Sequence, residues 1–121
     1  MGRKMVSSEA LANALAVGKN ATVYTNSREF GDWDGNKAIC RIVSTAGEIT
    51  VTQQCSNDGV VFYDAEDATA AKGAVENAIT VTTGRYIEFT PVLCKFIRFK
   101  VVEANVAATA LTLELIYGVG Y

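Results

Sequence analysis

Apolar and polar positions alternate with a period of two along most of this chain, the repeat of a strand that buries one face. In Glu48–Cys55, Ile49, Val51, Gln53 and Cys55 fall on one face and Thr50, Thr52 and Gln54 on the other. Lys95–Glu103 places Ile97, Phe99 and Val101 together, and Leu111–Tyr117 does the same with Leu111, Leu113, Leu115 and Tyr117. Ala21–Thr25, Lys37–Ser44, Val60–Tyr63, Ala78–Thr83 and Tyr86–Thr90 complete a set of eight strands. Ala46-Gly47 turns the chain, and Asn57-Asp58-Gly59 supplies the positive φ angles of a tight hairpin returning through Val60–Tyr63. Ser27–Asn36 has the composition of a loop. Asp64–Asn77, Ala-rich and acidic, reads as a long loop or one weak helical stretch.

The first twenty residues differ. Ser8–Val17 fits a short helix, with Glu9 near its positive end, Leu11 and Leu15 at i and i+4, and Gly18 to stop it. The division expected is an N-terminal arm or short helix over 1–20 and one domain over 21–121. Eight strands with a helix only at the start predict an all-β protein, an antiparallel β-sandwich of about eight strands. A jelly roll or galactose-binding-like topology is favoured over an immunoglobulin-like one, for which the paired Cys and strand Trp are missing.

Composition narrows the function. A chain of 121 residues, 50% apolar and 20% charged, makes one core. The net charge of −2, with no basic block, disfavours duplex nucleic acid. There is no histidine, which removes the commonest general base and metal ligand, so no enzyme activity, cofactor or metal is expected. Cys40, Cys55 and Cys94 are odd in number and lie in or beside apolar runs, which predicts buried free thiols. The basic start Met1-Gly2-Arg3-Lys4-Met5 precedes an apolar run broken by Glu9 and Asn13, so a cytosolic product is expected over a signal peptide. Nothing has the length of a membrane span.

Few clusters hint at chemistry. Asp32-Trp33-Asp34-Gly35-Asn36 is similar to part of a calcium loop, but the twelfth position from Asp32 is Val43, not Glu. Trp33 and Phe30 suit an interface or a lid on the core better than a sugar site. Glu48, Asp58, Asp64, Glu66 and Asp67 could supply carboxylates for glycoside hydrolysis, but acidic loops are usually only solvating. Arg98, Lys100 and Lys95 interleave with Phe96, Ile97 and Phe99, a pattern explained by inside–outside alternation without single-stranded nucleic acid.

The run Ile49-Thr50-Val51-Thr52-Gln53-Gln54-Cys55-Ser56-Asn57-Asp58-Gly59-Val60-Val61-Phe62-Tyr63 resembles the strand, Ser-x-Asp-Gly, aromatic-strand piece of discoidin-type and other galactose-binding-like domains. Arg85-Tyr86-Ile87 and Phe96-Ile97-Arg98-Phe99-Lys100-Val101 are similar to their later strands. The whole chain resembles in style the small jelly-roll decoration (cement) proteins of tailed-bacteriophage capsids. That resemblance implies a homo-oligomer, trimer or dimer, on the capsid surface of a virion, made in the host cytoplasm and bound to the major capsid protein. A carbohydrate-binding module is the alternative. The partner-binding residues expected are Arg3, Lys4, Leu11 and Leu15 of the arm, Phe30 and Trp33, and Asp64 and Glu66 of the acidic loop.

Overall fold

The structure, a computed structural model, describes residues 4–29, 33–65, 74–79, 85–92 and 94–120. Among them are ten strands and no helix: β1 (Lys4–Val17), β2 (Thr22–Tyr24), β3 (Arg28–Glu29), β4 (Trp33–Ser44), β5 (Ile49–Ser56), β6 (Tyr63–Asp64), β7 (Ala74–Ile79), β8 (Arg85–Phe89), β9 (Phe96–Glu103) and β10 (Thr109–Gly120). One sheet has the order β1-β10-β4-β8. In the other, β9 and β5 form the centre, β2 and β3 lie along the free side of β9, and β6 and β7 lie along the free side of β5. Every pairing is antiparallel. Taking β2 with β3 and β6 with β7, the chain makes a nested hairpin: first strand on last, second on second-to-last, and so inward. Wrapped across two sheets, this is the jelly-roll arrangement expected from the strand count.

The core is the space between the sheets. Leu111, Leu113, Leu115, Cys40, Ile42, Leu11 and Val17 face it from the first sheet, and Ile49, Val51, Ile97, Phe99 and Val101 from the second. Phe89 meets Phe99 edge to face across the gap, with ring centroids 5.9 Å apart. The inward sets expected in the last two strands are the ones buried, and period-two alternation alone identified them.

The helix expected over Ser8–Val17 is instead β1, hydrogen-bonded along β10. The 3–4 spacing of apolar residues that imitated a helix comes from irregular pairing. The register shifts once between Ala10 and Ala12 and again between Ala12 and Leu15. The first shift lets both Leu11 and Ala12 face the core, and frees the Leu11 carbonyl to accept the Asn26 N–H across the sandwich at 2.9 Å. At the second, Ala14 takes φ 52° and donates its N–H to Thr112 Oγ1 at 3.1 Å. Bulges re-aim side chains in this way, and a paired edge overrides the helix propensity of an Ala-rich segment.

Other expected elements moved less. Arg28–Glu29 and the start of β4 occupy part of the loop expected over Ser27–Asn36, so the calcium-like Trp33–Asn36 run lies in a strand. Strand β7 begins at Ala74, earlier than Ala78, and residues 80–83 of the expected Ala78–Thr83 strand lie outside the described set. So do residues 66–73 of the Asp64–Asn77 segment.

One end of the sandwich is organised by Glu103, a carboxylate with no solvent exposure. Its oxygens accept backbone N–H groups from Asn20 (2.8 Å), Glu48 (3.1 Å), Val106 (3.1 Å) and Ala107 (3.3 Å). These donors belong to the β1–β2, β4–β5 and β9–β10 turns. Burial raises its pKa, but the four N–H donors outweigh burial and hold it at about 2. Gly47 has φ 75°, and a Cβ there would lie 2.6 Å from the Ala107 carbonyl oxygen. The turn next to Glu103 therefore requires glycine.

Two predictions follow from β1 and Glu103. In a helix Ala14→Gly costs about 1 kcal/mol; at this left-handed strand position it relieves roughly 1 kcal/mol of backbone cost and leaves stability unchanged or raised. Urea unfolding of the variant decides between the two. Glu103 has a folded pKa depressed from 4.5 to about 2, so its contribution is complete above about pH 4.5 and is lost as pH falls toward 2. Glu103→Gln turns amide N–H groups toward backbone donors. It is expected to lower the unfolding midpoint at pH 7 and flatten the acid limb, measured by denaturant unfolding from pH 7 to 2.

Candidate interaction surface

At the end of the sandwich opposite Glu103, the β5–β6 connection leaves the ladder. The expected tight hairpin and its returning strand Val60–Tyr63 are replaced by a six-residue loop, 57–62, and a strand of only Tyr63–Asp64. The cause is a side-chain clamp. Asp58 Oδ1 accepts the Val60 and Val61 N–H groups at 2.9 and 3.0 Å and the Ser56 hydroxyl at 2.9 Å. Ser56 Oγ in turn accepts the N–H groups of Asp58 (3.2 Å) and Gly59 (2.9 Å). The bonds from Val61, Val60 and Ser56 hold the Asp58 pKa down at about 2. Gly59, at φ 77°, lies against the Phe96 ring. These bonds satisfy the loop locally and push its apolar residues out: Val60 is 77% exposed, Val61 50% and Tyr63 72%.

The base of this knob is braced. The buried Gln53 amide accepts the Val92 N–H at 2.9 Å and donates to the Val92 carbonyl at 2.7 Å, as a paired strand would. Beside it Cys55 is disulfide-bonded to Cys94, 39 residues on. This corrects the free thiols expected at Cys55 and Cys94; only Cys40 is free and buried, and burial pushes its thiol pKa far up. The parity of the Cys count concealed the pair, because the sheet, not the spacing, brings the two together. An open depression of about 500 Å³ lies here, lined by Asn57, Asp58, Val61, Tyr63, Asp64 and Val92 beside the disulfide.

On the outer face of the same sheet, Arg98, Gln54 and Asp64 stand in one row across β9, β5 and β6, each opposite the next in register. Arg98 Nε donates to Gln54 Oε1 (2.8 Å), Gln54 Nε2 to Asp64 Oδ1 (2.9 Å), and Lys100 Nζ to Asp64 Oδ2 (2.6 Å). The Lys100 ammonium, then the Gln54 amide, lower the Asp64 pKa. Tyr24 and Phe62 stack on the Arg98 guanidinium, each ring centroid 4.2 Å from Cζ. The row therefore runs into the knob through Phe62.

Of the residues expected to bind a partner, Asp64 borders both depression and row. Leu11 is 1% exposed and Leu15 is partly buried against the core, so both side chains serve the interior. Lys4 and Trp33 are placed only as strand positions, opposite Gly120 and Val119. Arg3, Phe30 and Glu66 lie outside the described residues. The exposed residues Tyr24, Val60, Val61 and Tyr63 were missed. A signal existed: Val60-Val61-Phe62-Tyr63 is four apolar residues without alternation, which one strand face cannot bury.

The disulfide is expected to leave one titratable thiol, Cys40, in denaturant without reductant, and three after reduction, counted by alkylation and mass. Reduction is expected to lower stability by about 3–4 kcal/mol for a loop of this length.

The sequence matches no protein-family model and no curated protein. Solved structures do resemble the fold. The PBSX exported protein XepA aligns with TM-score 0.59 and 19% identity over 95% of this chain and 38% of that one. The infectious bursal disease virus VP2 subviral particle aligns with TM-score 0.56 and 14% identity over 97% of this chain and 33% of VP2. The SPBc2 prophage-derived protein YomS aligns with TM-score 0.52 and 9% identity over 94% of this chain and 95% of its own. The chain thus spans well under half of XepA and VP2 and nearly the whole of YomS, and at these identities the likeness is one of fold.

Proposed function

We propose that this chain is a viral structural protein, and more narrowly a decoration or cement protein that binds an assembled capsid shell by stoichiometric contacts, not catalysis. The observation that carries this reading is the knob of Val60, Val61 and Tyr63, apolar, solvent-facing and braced by Asp58, Gln53 and the disulfide. Rigid apolar anchors concentrate binding energy at protein interfaces. The jelly roll, similar in fold to VP2 and to a prophage-derived protein of nearly the same extent, supports a viral setting. The partner in this reading is a major capsid protein, met on the virion surface. A ligand that binds only the assembled lattice stabilises it by mass action, and a homo-oligomer touching several subunits gains avidity.

The depression beside the knob favours a second reading, a carbohydrate site, because it sets the Tyr63 ring near Asn57 and Asp58.

Particles purified on a density gradient from cells encoding the chain are expected to carry it at a fixed copy number per coat subunit. Val60→Asp with Val61→Asp, at exposed positions, is expected to weaken attachment by at least about tenfold while leaving the unfolding midpoint unchanged. Absence of the chain from particles overturns the capsid reading, and retention on a glycan array would then support the second.

A further inference from the structure

We infer that Arg98 is a carboxylate receptor, built to take an acidic side chain of the protein partner through the end of its guanidinium. The inference deepens the binding role proposed above and rests on it. The guanidinium carbon lies over two rings, Tyr24 and Phe62, each centroid 4.2 Å away. Its Nε edge is committed to Gln54, which is itself held by Asp64, and Asp64 by Lys100. Only the edge formed by the two Nη groups remains, and among the described residues nothing accepts from it. An arginine normally loses rotamer freedom on binding. Here stacking and the Gln54 bond have already fixed the plane, so little further ordering accompanies capture of an anion.

Charge and shape select the ligand. In this row Arg98 and Lys100 are cationic and Asp64 anionic, and the Lys100–Asp64 pair cancels, leaving Arg98 uncompensated. Two parallel N–H groups in one plane match the two oxygens of a carboxylate. The half-exposed Tyr24 ring and the Phe62 ring, next in the chain to exposed Val60 and Val61, lie against the guanidinium, so the preferred anion is an Asp or Glu within an otherwise apolar contact.

The test is a titration of the intact chain with N-acetylglutamate, followed by NMR of the arginine side-chain N–H groups and the amides of residues 24, 54 and 62. Saturable shifts centred on Arg98 are expected, with the N-methylamide of N-acetylglutamine, which carries no carboxylate, causing none. Arg98→Lys, which keeps the charge but loses the fork, is expected to weaken binding roughly tenfold or more, and Tyr24→Ala to weaken it less. Equal shifts with the N-methylamide of N-acetylglutamine, no shifts with N-acetylglutamate, or unchanged affinity in Arg98→Lys would overturn the inference. Inorganic phosphate binding more tightly than N-acetylglutamate would overturn the carboxylate assignment. Particle attachment is scored separately. If the wild type attaches and Arg98→Glu attaches equally well, the receptor role falls and the capsid reading stands. If the wild type does not attach, the capsid reading falls and the titration alone decides the receptor.

Discussion

A single buried carboxylate holds three turns of this protein in place. Glu103 ends β9, the strand most enclosed by the second sheet, and its charge has no access to water. An isolated charge in that position would be strongly unfavourable. It is tolerated because backbone N–H groups that would otherwise be orphaned where strands end all point at it. The dependence is mutual, since the turns need an acceptor and the acceptor needs the turns. Around it the backbone takes conformations that suit few residues: positive φ at Asn20, Gly47 and Asn105. With the three turns tied together, β2, β5 and β10 enter their sheets from defined positions.

The opposite end is held by different means. Gln53 substitutes a side-chain amide for a missing strand, the Cys55–Cys94 bond joins β5 to the approach of β9, and Asp58 folds its own loop. Arg28 adds a latch between the sheets, stacking on Tyr117 at 4.4 Å, donating to its hydroxyl, and pairing with Glu9 at 3.3 Å. The first end uses its polar groups to tie its turns together and exposes Val106 there. The second leaves Val60, Val61 and Tyr63 in water on a rigid base. The larger apolar exposure at the second end is the physical basis for proposing partner binding there.

The row Arg98–Gln54–Asp64 shows why alternation was a sound account of the basic strand and an incomplete one. Arg98 and Lys100 face outward because Ile97, Phe99 and Val101 face inward. What they do there depends on which strands lie alongside. Gln54 and Asp64 are opposite by register, and Tyr24 and Phe62 come from segments distant in the chain. The result is a fixed guanidinium in place of a solvated one.

The sequence by itself determined the fold class, the inward faces of β5, β9 and β10, and the turn at Gly47, because each follows from side-chain periodicity or from a local φ requirement. It misassigned β1, since two bulges gave Leu11, Ala12 and Leu15 a helical spacing that only pairing with β10 explains. It also missed the disulfide, the Glu103 hub and the Arg98 stack. The disulfide joins residues 39 positions apart, the Arg98–Phe62 contact residues 36 apart, and the Glu103–Asn20 bond residues 83 apart. Their proximity is set by strand register and by the packing of two sheets, which no local pattern encodes.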